Sequence, residues 1–315
     1  MESNNTDQEF YERLEKKGVS RRDFMKFCTF LTATMGLSAS YVPKVGEVFA
    51  SPKVRPPVVW LHFGECTGCS EGFLRSMYPW IDELVLNVLS VEYHETIMAA
   101  AGHQAEENLH HAVETYKGKF ICVVEGSIPV RHPTWGMVGG RTFLEIAQDV
   151  VPKAAATVSL GTCAAYGGIP AAAPNPGGYK GVGDALGVPV VNIPGCPPNP
   201  INLVGTIVNF LLLGKLPEVD GLARPMFAFG QSIHDKCPRR GHFENEEFVE
   251  EFGSEEAKLG YCLYKMGCRG PETYNNCPTV KFQGGTSWPV QAGHPCIGCS
   301  EPGFWDKMTP FYEEM

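Results

Sequence analysis

The sequence predicts an α/β protein: a flavodoxin-like, doubly wound parallel sheet followed by a loop-rich domain with little regular structure. Three observations in the 315 residues carry that expectation. After residue 55, short β-branched runs alternate with segments of helical spacing, the pattern of strand–helix–strand units. Four cysteines fall just beyond three of those runs, at the strand ends where open α/β sheets bind ligands. Beyond about residue 220 the periodicity fades, and six cysteines crowd into the 63 residues 237–299.

Composition supports an ordered protein and narrows its partners. Hydrophobic residues are 43% and aromatics 11%, enough apolar surface to offset the entropy of ordering the chain. A formal charge of −9 excludes a nucleic-acid binder, which draws its affinity from cations on phosphates, and suits a cationic partner. Twelve cysteines fall short of the roughly 8–10% that marks a disulfide-stapled mini-domain, yet exceed what core packing needs, so cofactor ligation leads.

Residues 1–50 read as an address. Ser20-Arg21-Arg22-Asp23-Phe24-Met25-Lys26-Phe27, then the uncharged stretch 28–43 and Val48-Phe49-Ala50, resemble a twin-arginine export signal cleaved near Ala50. The segment carries seven acidic and seven basic residues, so its removal leaves the charge at −9. A run of 16 residues broken by Thr, Ser and Gly is short of the ~20 that span a bilayer, and the mature chain is expected not to span one. Twin-arginine export carries folded cargo, which suits a cofactor inserted before export.

Residues 51–220 hold the sheet. Strands are expected at 58–63, 84–93, 120–125, 156–160 and 188–193, and helices at 103–116, 142–150 and 200–213, the last opening at Pro197-Pro198-Asn199-Pro200. Cys66 and Cys69 follow the first strand in Gly64-Glu65-Cys66-Thr67-Gly68-Cys69, Cys163 follows another in Gly161-Thr162-Cys163, and Cys196 a third in Gly195-Cys196-Pro197-Pro198. Glycine beside each cysteine lets backbone N–H groups approach a bulky cluster. Four such thiols suit a [4Fe–4S] cluster; a tetrahedral zinc site, or a redox-active Cys-x-x-Cys pair with two unrelated cysteines, is the competing reading.

Residues 221–315 bury little apolar surface of their own, so metal sites would supply folding free energy there. His234 and Cys237, three apart, with Cys262 and Cys268 make one possible four-ligand set containing a histidine. Cys277, Cys296 and Cys299 leave a group of only three thiols, and Pro289 stands where a fourth ligand would. Seven carboxylates between Glu244 and Glu256, with no Lys or Arg in the run, read either as a solvated face or as a charged collar.

These motifs, with Tyr274-Asn275-Asn276-Cys277-Pro278 and Ala292-Gly293-His294-Pro295-Cys296-Ile297-Gly298-Cys299-Ser300-Glu301-Pro302, resemble the small subunit of periplasmic nickel–iron hydrogenases of sulfate-reducing bacteria. The resemblance implies a loop-rich iron–sulfur domain at 221–315. It implies a proximal [4Fe–4S] cluster on Cys66, Cys69, Cys163 and Cys196, a distal [4Fe–4S] on His234, Cys237, Cys262 and Cys268, and a medial [3Fe–4S] on Cys277, Cys296 and Cys299. Cys28 leaves with the signal, and Cys122 reads as a small core hydrophobe. By the same resemblance the nickel–iron site belongs to a large subunit, with which this chain forms a heterodimer. The resemblance implies that this chain relays electrons from H2 oxidation to a multihaem cytochrome c3 in the periplasm, as part of a cytochrome-c3 hydrogenase. Glu65 and Thr67 stand where relatives are proposed to pass protons. Gly68 and Gly168 occupy positions that oxygen-tolerant relatives fill with extra cysteines, which implies an air-sensitive enzyme. The rival expectations are the cluster-bearing subunit of a quinone oxidoreductase and a non-catalytic zinc-binding interaction protein.

Overall fold

The computed structural model describes residues 3–50, 55–77 and 88–314. Five strands form one parallel sheet: β1 (Pro57–His62), β2 (Ser90–His94), β3 (Ile121–Glu125), β4 (Ala156–Leu160) and β5 (Val191–Ile193), in spatial order β2-β1-β3-β4-β5. That is the flavodoxin-like order, with a switch point between β1 and β3. The register aligns His62 with Glu125, Glu125 with Leu160, and Leu160 with Ile193, so the loops after four strands leave from one line.

Successive side chains alternate between two cores, which is why the strands read as unbroken apolar runs. Trp60, Ile121, Val123, Leu160 and Ile193 face one cluster, and Val59, Leu61, Cys122 and Val124 face the other. Helices cover both faces: α1 (Ser3–Lys16), α2 (Arg21–Thr34), α3 (Val42–Ala50), α4 (Gly68–Leu74), α5 (His103–Thr115), α6 (Phe143–Val150), α7 (Thr162–Tyr166), α8 (Val182–Leu186) and α9 (Pro200–Leu213). A capping box between Thr142 and Glu145 opens α6. Asn199 caps α9 through the Ile201 N–H, and Gly214 closes it at φ +66°.

Two strands are shorter than expected. The run at 84–93 pairs only from Ser90, and its residues 84–87 lie outside the described residues. The run at 188–193 pairs only from Val191, because Pro189 has no N–H to give a ladder.

The N-terminal helices pack on the fold. Cys28, Leu31 and Val45 are fully buried and share a core with Leu203 and Ile207 of α9, while Arg21 and Arg22 remain exposed. Among the described residues no helix is long and apolar enough to cross a membrane.

After α9 the chain folds as loops, isolated bridges and helical turns of at most five residues. Its own apolar cluster, Ile233, Val249, Leu263, Met266, Trp288 and Val290, includes Cys277 and Cys296.

Candidate metal centres

The structure brings the cysteines together in three groups. In the first, Thr67 takes a left-handed φ of +62° that turns the chain from Cys66 into α4, and Cys69 sits in the first turn. A Cβ on Gly161 would stand 2.4 Å from the Cys69 sulfur, and one on Gly168 2.4 Å from the Cys163 sulfur, so only glycine admits these thiols. Burial pushes the Cys69 thiol far up, helped by Glu125 and by the Cys163, Cys196 and Cys66 sulfurs. Cys163 is pushed up to about 12, by burial first and Cys196 next. Thiolates cannot gather here without a compensating cation, which a metal cluster provides. The donor set and the glycine cradle fit a cluster.

Glu125 is a participant that sequence reasoning missed. Buried at the end of β3, it accepts hydrogen bonds from the Cys69 N–H (2.9 Å), the Ser70 N–H (3.0 Å) and the Ser70 hydroxyl (2.6 Å). It therefore fixes the turn that carries Cys66 and Cys69. Its sequence signal was a lone charge closing an apolar run. Thr67 donates to Glu65 Oε1 at 3.1 Å, and His62 Nδ1 lies 3.3 Å from the same oxygen. Glu65 and Thr67 are thus hydrogen-bonded neighbours beside the first thiol group.

His234, Cys237, Cys262 and Cys268 line one narrow cavity with Arg239 and Tyr264. A single helical turn, His234–Lys236, accounts for the three-residue spacing. Burial raises Cys262 to about 11 and also raises Cys237 and Cys268.

Cys277, Cys296 and Cys299 line a cavity of about 450 Å³ together with Pro289, Trp288 and Asn275. Pro289 brings no side-chain ligand to that wall, so the group offers three thiols there, with Cys196 of the first group also lining the cavity. Burial raises Cys277 well above its ordinary value and takes Cys299 to about 11.

The groups are tied in a row. The Thr162 hydroxyl, beside Cys163, donates to the Cys299 carbonyl, and the Cys296 N–H donates to the Cys268 sulfur at 3.3 Å. Cys122 in β3 and Cys28 in α2 are fully buried, one in each apolar cluster flanking the sheet.

The acidic run is less bare than its sequence. Arg240 pairs with Glu244, Lys265 with Glu250 and Lys258 with Glu255, and Glu247 is hydrogen-bonded to His242 Nδ1; Glu246, Glu251 and Glu256 have no ion-pair partner among the described residues. The run spans two short helical turns, Arg240–Glu244 and Glu255–Leu259, around an irregular stretch.

The family model for the C-terminal region of NiFe/NiFeSe hydrogenase small subunits matches residues 229–312, and that for the 20 kDa subunit of NADH ubiquinone oxidoreductase matches residues 66–210. The chain is 55% identical over 306 residues to the periplasmic [NiFe] hydrogenase small subunit 1 of Nitratidesulfovibrio vulgaris, covering 96% of both chains. It is 52% identical to the quinone-reactive Ni/Fe-hydrogenase small chain of Wolinella succinogenes, over 95% of this chain and 85% of that one. A solved Ni-Fe-Se hydrogenase structure from Desulfomicrobium baculatum superposes with a TM-score of 0.79 at 38% identity, over 83% of this chain and 100% of that one.

Proposed function

The chain belongs to the small-subunit family of nickel–iron hydrogenases, and from that premise we propose that it relays electrons between a large subunit bearing the nickel–iron site and an external carrier. We assign residues 1–50 to a twin-arginine signal cleaved near Ala50, 51–220 to the sheet domain with the proximal cluster, and 221–315 to the domain of the medial and distal clusters. The proximal ligands are Cys66, Cys69, Cys163 and Cys196; the medial ligands Cys277, Cys296 and Cys299; the distal ligands His234, Cys237, Cys262 and Cys268. When bound, two [4Fe–4S] clusters and one [3Fe–4S] cluster would supply one-electron centres along a single path.

The observation that carries this reading is the ordered linkage of the three groups through Thr162–Cys299 and Cys296–Cys268. The chain's own work is to hold the thiols, exclude water and place N–H and O–H donors that tune each centre. Glu125 holds the proximal turn. Glu65, reached by Thr67 and His62, stands ready to hold a proton at Oε1 on the way from the large subunit.

We assign the mature protein to the periplasm, as the name of the N. vulgaris relative supports, and its acceptor to a multihaem cytochrome c3 drawn by Glu246, Glu251 and Glu256. The name of the W. succinogenes relative favours a second acceptor class, a quinone. The test is anaerobic co-purification of the heterodimer, with iron and nickel analysis and H2-driven reduction of each acceptor. Iron-loaded enzyme that reduces the cytochrome supports the proposal. Colourless zinc protein, or reduction of the quinone alone, overturns the relay or its acceptor respectively.

A further inference from the structure

Trp288 is buried at 4% exposure and lines the same cavity as Cys277, Cys296 and Cys299. Its indole Nε1 is inaccessible to solvent and has no hydrogen-bond partner among the described residues. A buried N–H left unpaired suffers the full loss of its hydration, so such groups in native proteins have a partner. The indole nitrogen is a donor only, and the missing partner must therefore be an acceptor. Asn275, on the same wall, has a buried and unpaired Oδ1, but an amide can turn either its oxygen or its NH2 toward a neighbour and so fixes no polarity. Trp60 Nε1 is likewise unpaired among the described residues, but its ring packs beside Phe73 and His94 in the sheet core and lies outside the cavity that holds Trp288.

Resting on the reading that this cavity holds a three-iron cluster, we propose that the Trp288 indole N–H donates a hydrogen bond to that cluster, at a sulfide or a cysteine sulfur, and so positions it and raises its reduction potential. The sign follows from charge. Reduction adds an electron to an anionic centre, and a fixed donor stabilises the more negative state, making the centre easier to reduce. Ile233, Phe282 and Val290 make much of the surrounding wall apolar, which strengthens a hydrogen bond made there, although Asn275 and Thr273 also line it. Trp288 is a positioning residue: it tunes the medial step without taking part in chemistry on hydrogen.

The test uses the complete heterodimer purified anaerobically from cells fed 15N-indole-labelled tryptophan. Pulsed electron paramagnetic resonance of the oxidised enzyme should show 15N coupling to the spin-half three-iron signal, absent in Trp288→Phe. A redox titration of Trp288→Phe should place the medial midpoint lower than in the parent, with the proximal and distal midpoints unmoved. A three-iron signal without 15N coupling in the parent overturns the inference alone, and does so whether or not the variant assembles. An equal medial midpoint in a fully loaded variant overturns it too. Absence of any three-iron signal in the parent overturns the underlying reading and this inference together.

Discussion

Thr162 donates its hydroxyl hydrogen to the carbonyl of Cys299 at 2.5 Å and accepts one from the Gly195 N–H at 2.9 Å, which binds the loops of Cys163 and Cys196 to a cysteine 137 positions along the chain. One hydroxyl thus joins the sheet's carboxyl edge to the loop-rich region. Thr162→Val keeps the shape and strands both partners, at a cost of about 1–3 kcal/mol. We expect the melting temperature of the loaded enzyme to fall by several degrees and the medial centre to be reduced more slowly after H2 is added. An unchanged melting curve would show that the link is incidental.

A second tie is ionic. Arg224 is buried between Asp220 (2.8 Å) and Glu301 (2.9 Å), and Glu301 also accepts from the Tyr274 N–H at 2.7 Å. Burial raises the Glu301 carboxyl above its ordinary range, against the pull of the Tyr274 amide and of Arg224. Arg224→Met leaves a buried carboxylate unpaired and should destabilise by about 3–5 kcal/mol, whereas Arg224→Met with Glu301→Met should recover most of the loss. Measured by calorimetry, a double variant no more stable than the single one would contradict this.

His94 makes stability depend on pH. Burial, then the charge of His62, holds it down to about 3 from an ordinary 6.5. The folded state keeps the ring neutral, while the unfolded chain takes a proton below about 6.5. Its contribution is therefore complete above pH 6.5 and drains away as pH falls toward 3. Between pH 6.5 and 5 the loss is about 2 kcal/mol. Melting temperature should decline over that window, and His94→Gln should flatten the decline; parallel profiles for parent and variant would exclude His94 as the source.

Steering by the acidic run should reside in its unpaired members. Glu246→Gln, Glu251→Gln and Glu256→Gln together should slow cytochrome reduction at low salt, with little change above about 0.1 M, where the Debye length is under ~10 Å. Neutralising Glu244 and Glu250, which already pair with Arg240 and Lys265, should do less. Reduction of a small neutral dye should be unaffected by either set. Equal cytochrome rates at low salt for parent and first variant would make the run a solubilising surface.

Much of the sheet was legible because local pattern and tertiary role agree. Strands buried on both faces leave unbroken apolar runs, as at β3 and β4, and α6 and α9 carry their start signals in sequence. Pro189 shows the limit: composition extended β5 where hydrogen bonding could not. The first thiol group was legible since each cysteine follows a strand. Those of the loop-rich region follow no period, and their sorting into two sets came from family resemblance. The ties made by Thr162, Glu125 and Arg224 were hidden, because partners tens of residues apart meet only once the chain is folded.

The central claim is that three separate thiol groups hold three electron-carrying centres in series. Electron paramagnetic resonance of the anaerobically purified heterodimer during a redox titration tests it most directly. The account predicts a spin-half three-iron signal when oxidised, replaced on reduction by signals of two magnetically coupled four-iron centres. Four-iron signals alone, or fewer than three titrating centres in fully iron-loaded enzyme, would contradict it.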